Sequence, residues 1–152
     1  MQVGIKNILY ATDLSEASLV AKGYALDLAR ALEARLYVVY VLDVLLFTEI
    51  EPYGFPIRDL KEVRYRRARQ QLDELCAGEE WQGIAFEVLL KEGNPSAEII
   101  KFAKEKGVDL IIIGAYGKKG ISGVLFGSTA ERVVRKSACP VLVVKATEAR
   151  AP

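Results

Sequence analysis

Five glycines and a pair of hydroxyls are gathered in one short stretch, Gly114-Ala-Tyr-Gly117-Lys-Lys-Gly120-Ile-Ser-Gly123-Val-Leu-Phe-Gly127-Ser128-Thr129. This composition suits the cradling of phosphate. Glycine reaches φ > 0 and lacks the Cβ that would hold backbone N–H groups away from phosphate oxygens. A helix that opens where the glycines end adds unpaired N–H groups and the positive end of its dipole, about 0.3–1 kcal/mol per nearby anionic charge. Ser128 and Thr129 add hydroxyl donors, and Lys118 and Lys119 add cations on long stems. The stretch is neither a Walker A loop nor a G-x-G-x-x-G dinucleotide fingerprint. The competing reading is a surface loop whose Ser128 only caps a helix.

Asp13, at the end of the first apolar run, is the second candidate. A carboxylate there can accept hydrogen bonds from a ribose hydroxyl or an adenine amino group. It also fits, with Glu16, an acidic variant of the capping box, and Ser15 is another N-cap candidate. On the residues alone both readings of Asp13 stay open.

The 152 residues contain no histidine, which removes Ser-His-Asp and Cys-His triads, histidine-bound metal and imidazole acid-base chemistry together. Cys76 and Cys139 form no C-x-x-C pair and read as packing residues. Lys and Arg number 21 against 20 Asp and Glu, so no overall field draws the chain to nucleic acid or to an anionic membrane. No apolar run approaches the ~20 residues that span a bilayer, and the first residues show no signal-peptide pattern. A cytoplasmic location is the expectation.

These candidates need elements to hold them. Lys6 to Thr12 and Leu36 to Leu42 read as buried strands, and Ser15 to Leu32 as a helix burying Ala17, Val20, Ala21, Tyr24, Ala25, Leu28 and Leu32. Asp43 to Ile57 is a long apolar connection with Pro52, Gly54 and Pro56. Asp59 to Leu75 predicts a helix on Leu60, Val63, Ala68, Leu72 and Leu75, its Arg64, Arg66, Arg67 and Arg69 reading as a solvated face rather than a nucleic-acid patch. Ile84 to Leu90 predicts strand three, and Asn94 and Pro95 cap and open a helix running through Lys106. Val108 to Ile113 is strand four, Ser128 to Lys136 the last helix and Pro140 to Val144 the last strand.

This alternation predicts a single doubly wound α/β domain over residues 1–147, with residues 148–152 a disordered tail. Its five-stranded parallel sheet, order 3-2-1-4-5, carries helices on both faces. Ligands of such sheets lie beyond the C-terminal ends of the strands where strand order reverses. That places Asp13, just after strand one ends in Ala11 and Thr12, opposite Gly114, just after strand four ends in Ile113.

With these residues in place, the chain resembles the universal stress protein family, in its ATP-binding branch, over nearly its whole length. The family's Gly-x2-Gly-x9-Gly-(Ser/Thr) signature falls on Gly114, Gly117, Gly127 and Ser128, and Ile8-Leu-Tyr-Ala-Thr-Asp13-Leu-Ser-Glu is similar to its first strand and aspartate. Ser128-Thr-Ala-Glu-Arg-Val-Val and Cys139-Pro-Val-Leu-Val-Val are similar to its closing helix and strand. Ala11 stands where proline is common, Tyr116 where histidine is, and Thr129 where an apolar residue is frequent. The resemblance implies an ATP-binding regulatory protein with Asp13 and the backbone of Val41 at the nucleotide. It also implies Mg or Mn riding on the phosphates, and a homodimer paired through the Pro140 to Val144 strand. A slow ATPase and an interaction module without nucleotide are the alternatives.

Overall fold

The computed structural model describes residues 3–43, 57–116 and 126–146. Five strands, β1 (Asn7–Ala11), β2 (Arg35–Asp43), β3 (Phe86–Gly93), β4 (Leu110–Gly114) and β5 (Val141–Val144), form one parallel sheet in the order β3-β2-β1-β4-β5. Four helices cover it: α1 (Glu16–Leu32), α2 (Ile57–Leu75), α3 (Pro95–Glu105) and α4 (Ser128–Lys136). The architecture and strand order are those the alternation predicts.

The central strands are apolar along their buried stretches, Ile8–Ala11, Leu36–Leu42 and Leu110–Ile113, because neither face meets water there. Alternate residues divide them. Ile8, Tyr10, Leu36, Val38, Tyr40, Leu110 and Ile112 pack under α1 and α2. Leu9, Tyr37, Val39, Val41, Ile111 and Ile113 pack under α3 and α4 with Ile99, Phe102, Ala130 and Val133. Tyr37 meets Phe102 edge to face at 5.3 Å.

The buried face of α1 differs from the predicted one. Ala21 and Ala25 are buried as expected and are joined by Ser18, Leu26 and Ala29, while Val20, Tyr24 and Leu32 remain 42%, 39% and 43% exposed. Small residues let the helix axis approach the sheet, so the seam follows the serine and alanines, and the larger side chains flank it. On α2, Ala68 and Leu72 are buried as expected, but Val63 lies outside the seam. Arg64, Arg66, Arg67 and Arg69 of α2 are exposed, and Arg69 pairs with Asp73 one turn on. Asn94 caps α3, its side chain accepting from the Ala97 N–H at 3.1 Å, with Pro95 in the first turn.

One feature of the core was not anticipated. Glu79–Trp81 is a short 3-10 turn whose buried indole donates to the Leu75 carbonyl at 2.8 Å, closing the connection after α2. The connection between residues 44 and 56, the glycine stretch from 117 to 125 and the tail from 147 onward lie outside the described residues. No helix among the described residues is long and apolar enough to cross a membrane.

Candidate functional site

β1 is the point where strand order reverses. Ala11 lies in register with Val39 of β2 on one side and Ile113 of β4 on the other. The Thr12 N–H continues the ladder by donating to the Val39 carbonyl at 3.0 Å, and there the chain leaves the sheet.

The exit is a tight turn tied by side chains. Leu14 has φ +65, a left-handed conformation that costs a non-glycine residue about 1–2 kcal/mol. Three hydrogen bonds hold it. Thr12 Oγ1 accepts from the Leu14 N–H at 3.0 Å, Asp13 Oδ1 accepts from the Ser15 N–H at 3.0 Å, and Ser15 Oγ caps α1 by accepting from the Ser18 N–H at 3.2 Å. The Leu14 side chain packs against the α1 and α2 core, which fixes the turn from below. Asp13 is half-buried at the rim. Of its two sequence readings, the N-cap falls to Ser15, and the aspartate carboxylate braces the turn one residue earlier.

Under this turn lies a polar cluster. Tyr10 Oη donates to the Ser18 carbonyl at 2.6 Å, and Ser18 Oγ lies 3.0 Å from Thr12 Oγ1 and 2.9 Å from the Ser15 carbonyl. Burial pushes the Tyr10 phenol up to about 12, only partly offset by its polar neighbours Thr12 and Ser18, so it stays neutral at physiological pH. Cys76 is pushed up to about 11, also by burial, which keeps it an unreactive thiol.

The opposite rim starts at β4. Gly114 is buried and in register with Val144. A Cβ placed on it would lie 2.9 Å from the Ala17 carbonyl oxygen and 3.2 Å from Ser18 Cα, so glycine is required there for α1 to approach the strand. The Ala115 N–H donates to the Val144 carbonyl at 2.8 Å, and the Ala115 carbonyl accepts from the Gly127 N–H at 2.6 Å. That second bond joins the two ends of the glycine stretch and brings the start of α4 to the end of β4.

Gly127 is the N-cap of α4, with φ −68 and ψ 160, and among the described residues no side chain caps the helix. The first internal bond runs from the Glu131 N–H to the Gly127 carbonyl at 3.0 Å, so the N–H groups of Ser128, Thr129 and Ala130 precede it. Ser128 is exposed and occupies the first helical position rather than the cap, which removes the capping explanation for its hydroxyl. Thr129 is half-buried. Phe126, just before, packs against the α3 and α4 core, with Lys145 Nζ 5.9 Å from its ring centroid.

Val41 is buried near the C-terminal end of β2, two residues beyond Val39 and in register with Lys91. The Lys91 ammonium lies over the Phe102 ring at 5.1 Å. Ala11, Thr12, Asp13, Val41, Ile113 and Gly114 therefore all lie at the C-terminal ends of β1, β2 and β4, with Gly127, Ser128 and Thr129 joined to that end through Ala115. Gly117 lies outside the described residues.

Sequence reasoning missed Ser18, Tyr10, Leu14 and Ala115. Ser18 had a signal, since Ser18, Ala21, Ala25 and Ala29 form a small-residue stripe at helical spacing. Leu14 had none, because a left-handed leucine is produced by its neighbours' bonds and not by its own preference.

The universal stress protein family profile matches residues 4–145. Universal stress protein MJ0531 of Methanocaldococcus jannaschii is 38% identical over 142 residues, which cover 92% of this chain and 82% of the relative. The solved structure of protein MJ0577 from the same organism is similar with TM-score 0.81 at 31% identity, covering 96% of this chain and 99% of that one. A universal stress protein solved in complex with cAMP is similar with TM-score 0.61 at 25% identity, covering 93% and 98%.

Proposed function

The chain belongs to the universal stress protein family, and we propose that it is a cytoplasmic regulatory protein that holds ATP across the C-terminal ends of β1 and β4. The observation that carries this reading is the first turn of α4, which opens on a glycine, has no side-chain cap among the described residues and is tied to the end of β4 by the Gly127 to Ala115 bond. Phosphate oxygens are the natural acceptors for the N–H groups of Ser128 and Thr129, and both hydroxyls can add donors. Gly127 belongs to the proposed cradle, and the sequence signature adds Gly117.

Asp13, across the crevice, accepts from ribose or the adenine amino group, and Val41 offers backbone to the base, with Ala11, Thr12, Ile113 and Gly114 forming the floor. The cAMP held by a structural neighbour is an adenine nucleotide of the same class. A divalent cation, Mg or Mn, fits as a passenger on the phosphates, where it keeps most of its water and asks for no cage of protein ligands. The chain has no histidine to position an attacking water, so the bound nucleotide acts as a signal rather than a substrate for fast turnover.

Denaturing the purified protein and identifying released small molecules by mass spectrometry, followed by calorimetric titration of ATP, ADP and AMP with Mg, tests the reading. Recovered adenine nucleotide, or binding that strengthens with the number of phosphates, is expected. A clean protein that binds none of the three rejects it.

The same proposal includes a homodimer paired through Pro140 to Val144. β5 is a sheet edge of four apolar residues with no charge, whereas the other edge, β3, carries Glu87, Lys91 and Glu92. An uncharged edge invites a second strand and a charged one resists it. Val143→Asp is expected to lower the solution mass towards a monomer in sedimentation. A mass unchanged by that substitution rejects the β5 pairing.

A further inference from the structure

We infer that Ser18, a residue outside every motif, is the positioning residue that holds Asp13 in place for the nucleotide; this deepens the function proposed above and rests on it. Among the described residues the buried polar side chains are Thr12, Ser18 and Ser96, and two of these three meet under the turn that carries Asp13. Every buried side-chain polar atom there has a partner. The cluster therefore has no slack.

Its protons can be assigned. Ser18 Oγ donates its single proton to the Ser15 carbonyl at 2.9 Å. The 3.0 Å contact with Thr12 must then run the other way, with Thr12 Oγ1 donating and Ser18 Oγ accepting. Thr12 Oγ1 uses a lone pair to accept from the Leu14 N–H, and Ser18 returns to the turn again by donating its own N–H to Ser15 Oγ. The Ser15 N–H ends the chain on Asp13 Oδ1 at 3.0 Å. Ser18 thus grips the turn on both sides of Asp13, at Thr12 before it and Ser15 after it.

Ser18 is itself immobile. Its carbonyl accepts from Tyr10 Oη, and its Cα lies 3.2 Å from where a Cβ on Gly114 would be. The turn is therefore bolted to a helix that is seated on β1 and β4. Without the Ser18 hydroxyl, the buried Thr12 hydroxyl loses its acceptor and turns to find another, releasing the Leu14 N–H that holds the left-handed backbone. The Asp13 carboxylate would then sample several positions instead of one, and affinity would fall through lost preorganisation.

A double-mutant cycle on ATP affinity, measured by calorimetry, tests this. Ser18→Ala is expected to weaken ATP about tenfold when Asp13 is present and less than about twofold in an Asp13→Ala background. Amide exchange at Leu14 and Ser15 should accelerate, while the β4 amides keep their protection. Thr12→Val removes the same hydroxyl contact from the other side at nearly constant shape, and should reproduce the loss should Ser18→Ala fold poorly. Wild-type affinity in both variants overturns the inference. Equal losses with and without Asp13 also overturn it, since Ser18 would then be only a packing residue. A wild-type protein that binds no nucleotide is a separate result, which rejects the proposed function and this role with it.

Discussion

At the end of β1 the chain is turned by side chains: Thr12, Asp13, Ser15 and Ser18 each make a bond that fixes a left-handed Leu14. At the end of β4, a few ångströms across the same sheet, backbone does the work. Gly114 and Gly127 remove side chains, Ala115 bonds on both sides through its main chain, and α4 begins with no cap. Under the proposed function, the contrast matches what each rim would meet. A base and a ribose present few, directional hydrogen-bonding groups, so a rim that reads them needs a carboxylate held in one place. A phosphate chain presents many equivalent oxygens, and a rim of N–H groups with no Cβ between them serves it without fine placement of any side chain.

The largest expected effect comes from putting a side chain on the backbone rim. Gly127 has φ −68 and ψ 160, a region open to any residue, so Gly127→Val leaves the fold, and its bond to Ala115 remains available. The branched side chain would stand where the phosphates approach α4. Loss of ATP affinity by about 100-fold or more is expected, several cation–phosphate and N–H contacts at about 1.5–3 kcal/mol each being at stake, with the thermal midpoint within a few degrees of wild type. Unchanged affinity by calorimetry would break the assignment of this rim to phosphate.

The two rims also differ in how far the sequence reveals them. The backbone rim stands out in the sequence, because the proposed phosphate cradle calls for glycine at fixed places, and Gly114, Gly127 and Ser128 stand at such a spacing. The parallel sheet was legible for a similar reason, since Leu36 to Leu42 and Leu110 to Ile113 are unbroken runs of apolar and aromatic residues, as strands covered on both faces are. The side-chain rim is quieter. Thr12, Ser15 and Ser18 are residues that turn up at any helix start, and their meaning comes from burial and from a hydrogen-bond direction that no spacing encodes. The seam of α1 was misplaced by the same logic. Periodicity finds Ala21 and Ala25 but adds Val20 and Tyr24 and passes over Ser18, whereas close approach to Gly114 favours the small residues. Helix capping by Asn94 and Pro95 was legible because its chemistry is local.

Gly114 is where the rims meet, and it sharpens the comparison with a smaller effect. Its glycine belongs to the signature that suggests phosphate binding, yet the space a Cβ would take is filled by the α1 backbone at Ala17 and Ser18. Backbone atoms at 2.9–3.2 Å cannot rotate aside as a flexible side chain would, so Gly114→Ala must push the first turn of α1 away from β4. Overpacking of this kind costs about 1–3 kcal/mol, read as a lower thermal midpoint. Because Ser18 lies on the displaced turn, its contact with Thr12 opens as well, and the side-chain rim loses its grip on Asp13. Gly114→Ala should therefore lower stability and weaken ATP together, whereas Gly127→Val weakens ATP alone. A Gly114→Ala protein with wild-type stability would mean that α1 can retreat freely, and that the two rims are independent rather than joined through this one contact.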